Sequence, residues 1–286
     1  MREKLLFDDL WRFHPGGIPK EHPVAKGPMY ASAKTERERW GGAAIHHNDN
    51  PDDYSSGELC TETWQNVTLP HDFVISGAVS PDHNSALGYL PYGVGWYRKH
   101  FRVTEEDRGR RLVLCFEAVA NRCTVYCNGS PILQNHCGYN SFFADITDFV
   151  RYDTDNVLAV FVDATEHEGW WYEGAGIHRH VRLIVKEPLH IAHDSIFAKP
   201  ELIEDSGNDW RVICEATAEN SSYEDKKFRI RTELLYKGEA VSVGESEEFT
   251  CPADGKATAR HTLVVTDPAR WDIDDPELYT ARFSLV

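Results

Sequence analysis

Residues 228–236 read FRIRTELLY. Side chains alternate across an extended strand, so Phe228, Ile230, Leu234 and Tyr236 share one face and Arg229, Arg231 and Glu233 take the other. The same period of two, or a continuous apolar run bounded by Gly, Asn, Asp or Pro, recurs at 111–118 (RLVLCFEA), 157–164 (VLAVFVDA) and 181–185 (VRLIV). Within 123–143, CTVYCNGSPILQNHCGYNSFF, the pair Asn128-Gly129 sits where a tight hairpin turn needs positive φ angles. No stretch of ten or more residues carries a helical period, and strand-helix-strand alternation is missing. An α/β barrel and a doubly wound sheet are thereby excluded, and an all-β chain built as sandwiches is predicted.

The 286 residues, 41% hydrophobic and 27% charged, are enough for folded sandwiches with ample core and not for a disordered chain. One strand ends at Val185 and another starts at Leu189-His190-Ile191, so the boundary is expected near Glu187-Pro188. Residues 1–187 then suit a jelly-roll sandwich with a long N-terminal excursion. Residues 188–286 suit an immunoglobulin-like sandwich of short strands. Residues 34–56 (KTERERWGGAAIHHNDNPDDYSS) are polar and rich in Gly, Asn and Asp, and read as a surface loop.

Charge and cysteine content narrow the function classes. The formal net charge of −16 repels polyanions, which argues against nucleic acid and anionic membrane as partners. No apolar run approaches the roughly 20 residues that cross a bilayer, and acid follows the first apolar residues too soon for a signal peptide, so a cytoplasmic location is expected. The seven cysteines (60, 115, 123, 127, 137, 214 and 251) form no CxxC pair, and Cys123 and Cys127 share a strand face as small buried apolar groups. The sequons at Asn66, Asn128 and Asn220 are close to chance expectation. The histidine pairs 46/47, 178/180 and 190/193 lack a third ligand at a suitable spacing, so no metal site is predicted. A nucleophile elbow, a P-loop and a dinucleotide fingerprint are also missing.

Two constellations carry chemistry. In EHEGWWYEGAGIHRH (166–180), Trp170, Trp171 and Tyr172 lie beside Glu168, Glu173 and a Gly-Ala-Gly turn. Flat apolar faces next to carboxylates are what a sugar ring uses: its C–H faces stack and its hydroxyls donate. For any single aromatic, packing beneath a loop is the simpler assignment; the cluster, with glycines permitting close backbone approach, points to a surface or interface role. The second constellation runs from Trp64 to Tyr97, with LPHDF at 69–73 and GYLPYGVGWYR at 88–98. Asp72 falls in a turn, where an aspartate normally bonds its own backbone, and the aromatics of 93–98 belong most simply to a core.

Taken in order, LWRF (10–13), WQNVTLPHDF (64–73), GYLPYGVGWYRKHF (88–101), FEAVANRCTVYCNG (116–129), DITDFV (145–150), NVLAVFVD (156–163), WWYEGAGIHRHVRL (170–183) and W-x-x-x-x-PELYT (271–280) resemble the N-terminal half of glycoside hydrolase family 2, most closely its bacterial β-galactosidases. The resemblance implies a sugar-binding jelly roll, then an immunoglobulin-like sandwich, then a (β/α)₈ barrel carrying both catalytic glutamates of a retaining mechanism. The family's acid/base lies in an Asn-Glu pair, which this sequence does not contain, so the chain is expected to be a fragment ending one strand short of a closed second sandwich, with no catalytic residue of its own.

The resemblance also implies that first-domain loops reach the sugar. Asn84 matches an Asn after the LPxD region. Where the family places an acidic residue before the G-I-x-R strand this sequence has Trp170, so Glu168 or Glu173 substitutes, or stacking on Trp170 replaces the hydrogen bond. The candidate substrate-binding residues are thus Asp72, Asn84, Glu168, Trp170, Trp171, Tyr172 and Glu173. No cofactor is expected in this chain, with magnesium or sodium ions a matter for the full-length enzyme. The expected partners are a β-galactoside in that enzyme, its own barrel and further copies in a homo-oligomer, and the isolated chain is expected to dimerise or aggregate. A stand-alone carbohydrate-binding module, the same region of a β-glucuronidase or β-mannosidase, and an adhesion-like protein are the alternatives.

Overall fold

The computed structural model describes residues 3–18, 41–45, 47–50, 64–166 and 173–286. Contacts divide the chain between Val185 and Lys186 into two compact units.

The first unit is built from β1 (Glu3–Leu6), β2 (Trp11–Pro15), β3 (Gln65–Val67), β4 (Val94–Arg102), β5 (Arg111–Phe116), β6 (Arg122–Cys127), β7 (Ser130–Asn135), β8 (Phe142–Asp145), β9 (Asp155–Asp163) and β10 (Val181–Lys186). They form a six-stranded sheet in the order β3-β2-β4-β9-β6-β7 and a four-stranded sheet in the order β1-β10-β5-β8. Between the sheets pack Trp11, Phe13, Tyr97, Phe116, Leu158 and Val160, with the Phe116 and Phe142 rings stacked. Each such side chain withdrawn from water contributes about 1.5–3 kcal/mol. Strand β9 shows why its sequence is apolar without interruption. Leu158, Val160 and Val162 enter this core, whereas Ala159 and Phe161 pack on the outer face against Trp64, Trp96 and Tyr126.

The β6–β7 hairpin turns at Asn128 and Gly129, with φ of 48° and 79° as a type I′ turn requires. Asn128 does more than turn the chain: its amide donates to the Phe149 carbonyl and the Asn156 side chain and accepts from the Val157 N–H. Cys123 and Cys127 are buried on one face of β6, and burial pushes both thiols up to about 12.

The reading of 34–56 as a surface loop is corrected over its described part. Ala43, Ala44 and Asp49 are buried against the outer face of the six-stranded sheet. The reason lies in β4, which is covered on both faces: Tyr97 and Phe101 point into the core, while Trp96 and the fully buried Arg98 point outward. A guanidinium withdrawn from water must be neutralised and hydrogen-bonded. Asp49 and the carbonyls of Gly42 and Ala44 meet that need, so the polarity of this stretch is turned inward.

The second unit comprises β11 (Leu189–Ile191), β12 (Phe197–Leu202), β13 (Trp210–Asn220), β14 (Lys226–Phe228), β15 (Ile230–Tyr236), β16 (Glu239–Glu245), β17 (Phe249–Cys251), β18 (Gly255–Val265) and β19 (Tyr279–Leu285). β13 pairs with β18 along one edge and with β12 and then β11 along the other, β15 lies between β16 and β19, and β14 pairs with β17. The stretch 228–236 alternates in burial, with Phe228, Ile230, Thr232 and Leu234 inward. Its ladder is interrupted at Arg229, whose backbone bonds Val286 instead. Asn220 is buried, its amide donating to the carbonyls of Glu224, Cys251 and Pro252. Among the described residues, no helix is long and apolar enough to cross a membrane.

Candidate functional site

The two constellations singled out in the sequence meet in the first unit. Residues 69–73 run beside 175–177, with the His71 N–H donating to the Ile177 carbonyl at 2.8 Å and the Phe73 N–H to the Ala175 carbonyl at 2.9 Å. Asp72 locks this pairing: its Oδ1 accepts from the N–H groups of Val74 (2.9 Å), Ile75 (3.0 Å) and Ala175 (3.1 Å). Two of these close the turn expected of a turn aspartate, and the third reaches the other constellation.

The glycines of the Gly-Ala-Gly turn serve this contact. A Cβ on Gly174 would lie 1.7 Å from Asp72 Oδ2, and one on Gly176 would lie 2.4 Å from Tyr97 Oη and 2.5 Å from the His71 carbonyl oxygen. Gly176 also has φ of +133° and exchanges two backbone hydrogen bonds with Ala120. The close approach read from the sequence is thus an approach of backbone to Asp72, His71 and Tyr97. Beneath it, His71 Nδ1 and Tyr97 Oη are 2.8 Å apart. Burial lowers the His71 value and raises that of Tyr97, so a neutral imidazole faces a neutral phenol, whose hydroxyl also lies 3.4 Å from the His71 carbonyl oxygen.

Glu173 stands next to this lock. Its carboxylate accepts from Tyr139 Oη at 3.3 Å and from Asn121 Nδ2 at 3.4 Å, and its backbone carbonyl accepts from Tyr92 Oη. Asn121 is buried and also donates to the Glu166 carbonyl. Burial pushes the Tyr92 phenol up, helped by the nearby charges of Glu173 and Asp72 and the phenol of Tyr139. Asp72, Tyr92, Tyr139 and Glu173 therefore share one neighbourhood. Carboxylate acceptors beside phenol hydroxyls and an amide form a set that can hydrogen-bond a hydroxyl-rich ligand.

Of the sequence candidates, the structure brings together Asp72 and Glu173. Asn84 is on the exposed turn before Tyr92, where its Oδ1 caps the Ala86 N–H at 2.9 Å. Among the described residues no hydrogen bond joins it to Asp72 or Glu173. Glu168, Trp170, Trp171 and Tyr172 lie outside the described residues. Tyr92, Asn121 and Tyr139 were not foreseen: each sits in a quoted run (GYLPYG, FEAVAN, HCGYNSFF), but only the folded chain aims them at Glu173.

Comparison with known proteins bears on the same residues. The model of "Glycosyl hydrolases family 2, sugar binding domain" matches residues 54–188, and that of "Glycosyl hydrolases family 2" matches 189–286. A β-galactosidase of Bacteroides ovatus is 34% identical over 235 residues, covering 76% of this chain and 26% of that protein. A β-glucuronidase of Formosa agariphila is 26% identical over 241 residues, covering 76% of this chain and 24% of that protein. The crystal structure of a glycosyl hydrolase family 2 member from Bacteroides cellulosilyticus superposes with a TM-score of 0.75 at 25% identity, over 99% of this chain and 34% of that one. The chain thus spans about a quarter of the length of these curated relatives. It belongs to glycoside hydrolase family 2 and comprises that family's sugar-binding jelly roll and immunoglobulin-like sandwich.

Proposed function

We propose that this chain is the non-catalytic N-terminal region of a retaining β-galactosidase, and that its first sandwich supplies part of the rim around the sugar. The observation that carries the reading is the Glu173 carboxylate, held between Tyr139 and Asn121 and beside the Asp72 lock, in a sugar-binding domain. Sugar hydroxyls would donate to Glu173, and Tyr139 and Asn121 fix its rotamer before the sugar arrives. Such pre-organisation reduces the ordering cost of binding. The bond-breaking step belongs to a following barrel, where one carboxylic acid protonates the leaving oxygen and a second carboxylate, roughly 5–5.5 Å away, attacks the anomeric carbon.

The coding sequence beyond Val286 tests this reading: it should encode a (β/α)₈ barrel with an Asn-Glu pair, and a stop codon shortly after Val286 would remove it. In that full-length enzyme, Glu173→Gln keeps the shape of the side chain but weakens a charge-assisted hydrogen bond contributing about 1.5–3 kcal/mol. The kcat/KM for a β-galactoside should fall roughly 10- to 100-fold, mostly through KM, with the melting temperature little changed. An unchanged KM would remove Glu173 from the rim. A β-glucuronidase is the second reading, favoured by the Formosa agariphila relative. Rates on p-nitrophenyl β-D-galactoside and β-D-glucuronide separate the two.

A further inference from the structure

On the outer face of the six-stranded sheet, away from the Asp72–Glu173 group, the described residues of 41–50 are held by a cluster of charged side chains. Asp49 accepts from Arg12 Nη1 at 2.5 Å, Arg98 Nε at 2.7 Å and His100 Nε2 at 3.1 Å. The remaining Arg98 nitrogens donate to the carbonyls of Gly42 (2.6 Å), Ala44 (2.9 Å) and His47 (3.4 Å). One side chain of β4 thus takes the place of a neighbouring strand in satisfying the backbone of this segment.

Two histidines in this contact are bound to opposite charge states by their partners. The Nδ1 of His100 lies 2.6 Å from Asp155 Oδ2, while its Nε2 faces Asp49. Carboxylates only accept, so His100 must carry both protons to donate to each. His47 Nε2 instead accepts the indole N–H of Trp64 at 3.2 Å, which it can do only when neutral.

We propose that residues 41–45 and 47–50 form a pH-gated strap, seated on the sheet by a charged His100 and a neutral His47, whose docking is strongest in a window near neutral pH and weakens on either side. Opening it would uncover the aromatic face of Trp64, Trp96 and Tyr126.

The sign of each limb follows from the groups present. The Asp49 and Asp155 carboxylates raise the His100 value above 6.5. Asp155 lies on β9 and stays beside His100 when the strap opens, so only the Asp49 share is tied to docking, and it is lost as pH rises toward the raised value. His47 faces Arg98, Asp49 and His14, and burial beside the Arg98 charge lowers it from 6.5 to about 4. Between those two values the released strap binds a proton that the seated one refuses, so docking weakens on the order of 100-fold by the acid end. Asp49 itself is held well below its ordinary 3.8 by His100 and Arg98 against the opposing effect of burial, so it stays ionised through the whole window. The maximum therefore falls a little above 6.5, where the two limbs meet.

The test uses the full chain with ¹⁵N-labelled tryptophan and arginine. Hydrogen exchange of the Trp64 indole N–H and the Arg98 Nε–H is followed from roughly pH 4 to 9 and corrected for intrinsic exchange. Protection should peak a little above pH 6.5 and fall on both sides. His100→Lys, cationic throughout, should abolish the alkaline fall, and His47→Gln, which accepts the indole without titrating, should reduce the acid fall to the share of His14, whose value burial also lowers beside Trp64. A flat or monotonic profile in the unaltered chain would overturn the proposal, as would a His100→Lys chain that keeps its alkaline limb.

Discussion

Replacing Arg98 by methionine is expected to lower the stability of the first sandwich by about 3–5 kcal/mol, the usual effect of removing one partner of a buried ion pair. Arg98 is fully buried, and Asp49, almost as deeply placed, would be left facing only Arg12 and His100. The Gly42 carbonyl would also lose its donor, and the Ala44 carbonyl would keep only the His47 N–H. These two losses can be separated. In Arg98→Met/Asp49→Leu the uncompensated charge is gone but the Gly42 carbonyl remains unsatisfied, so the double variant should recover part of the loss and stay about 1–3 kcal/mol below the parent. Urea denaturation followed at the first sandwich measures both. A single substitution costing under about 1 kcal/mol would mean that the segment around Asp49 is not seated on the sheet as described.

Gly176→Ala should be comparably severe, at about 4 kcal/mol. Its φ of +133° is nearly closed to a residue with a Cβ, which costs about 1–3 kcal/mol. The new methyl would also meet Tyr97 Oη and the His71 carbonyl well inside contact distance, and overpacking of this kind costs about 1–3 kcal/mol more. Tyr97 has no room to withdraw, being fully buried and bonded to His71. Gly174→Ala provides the control. Its clash is with the end of the Asp72 side chain, which can swing away once it releases the Val74, Ile75 and Ala175 N–H groups. Once Asp72 is already alanine, adding Gly174→Ala should therefore cost little more, a non-additivity that a double-mutant cycle detects.

What the sequence reveals of this molecule depends on how local the cause is. Period-two patterning locates β15 and an unbroken apolar run locates β9, because each strand's burial is decided by its own residues. Asn128-Gly129 announces its hairpin, because positive φ is a property of those two residues. The meeting of 69–73 with 173–177 was approachable from motif order, since both runs carry turn-forming residues beside chemistry-bearing ones. The segment around Asp49 was misread because composition records that a residue is polar but not whether a buried arginine elsewhere needs it. Tyr92, Asn121 and Tyr139 were missed for a related reason: their partner, Glu173, is between 34 and 81 residues away in sequence. Asn128 and Asn220, read first as chance sequons, proved to be internal amides whose nitrogens are already committed.

On the proposed reading, this chain supports a sugar site that a following barrel completes. Calorimetric titration of galactose and of lactose into the 286-residue chain tests it most directly. No binding tighter than about 1 mM is expected for either sugar, a free energy no larger than roughly 4 kcal/mol, if the remainder of the pocket belongs to the barrel. Saturable binding well below that concentration would contradict it and make the chain a carbohydrate-binding module in its own right.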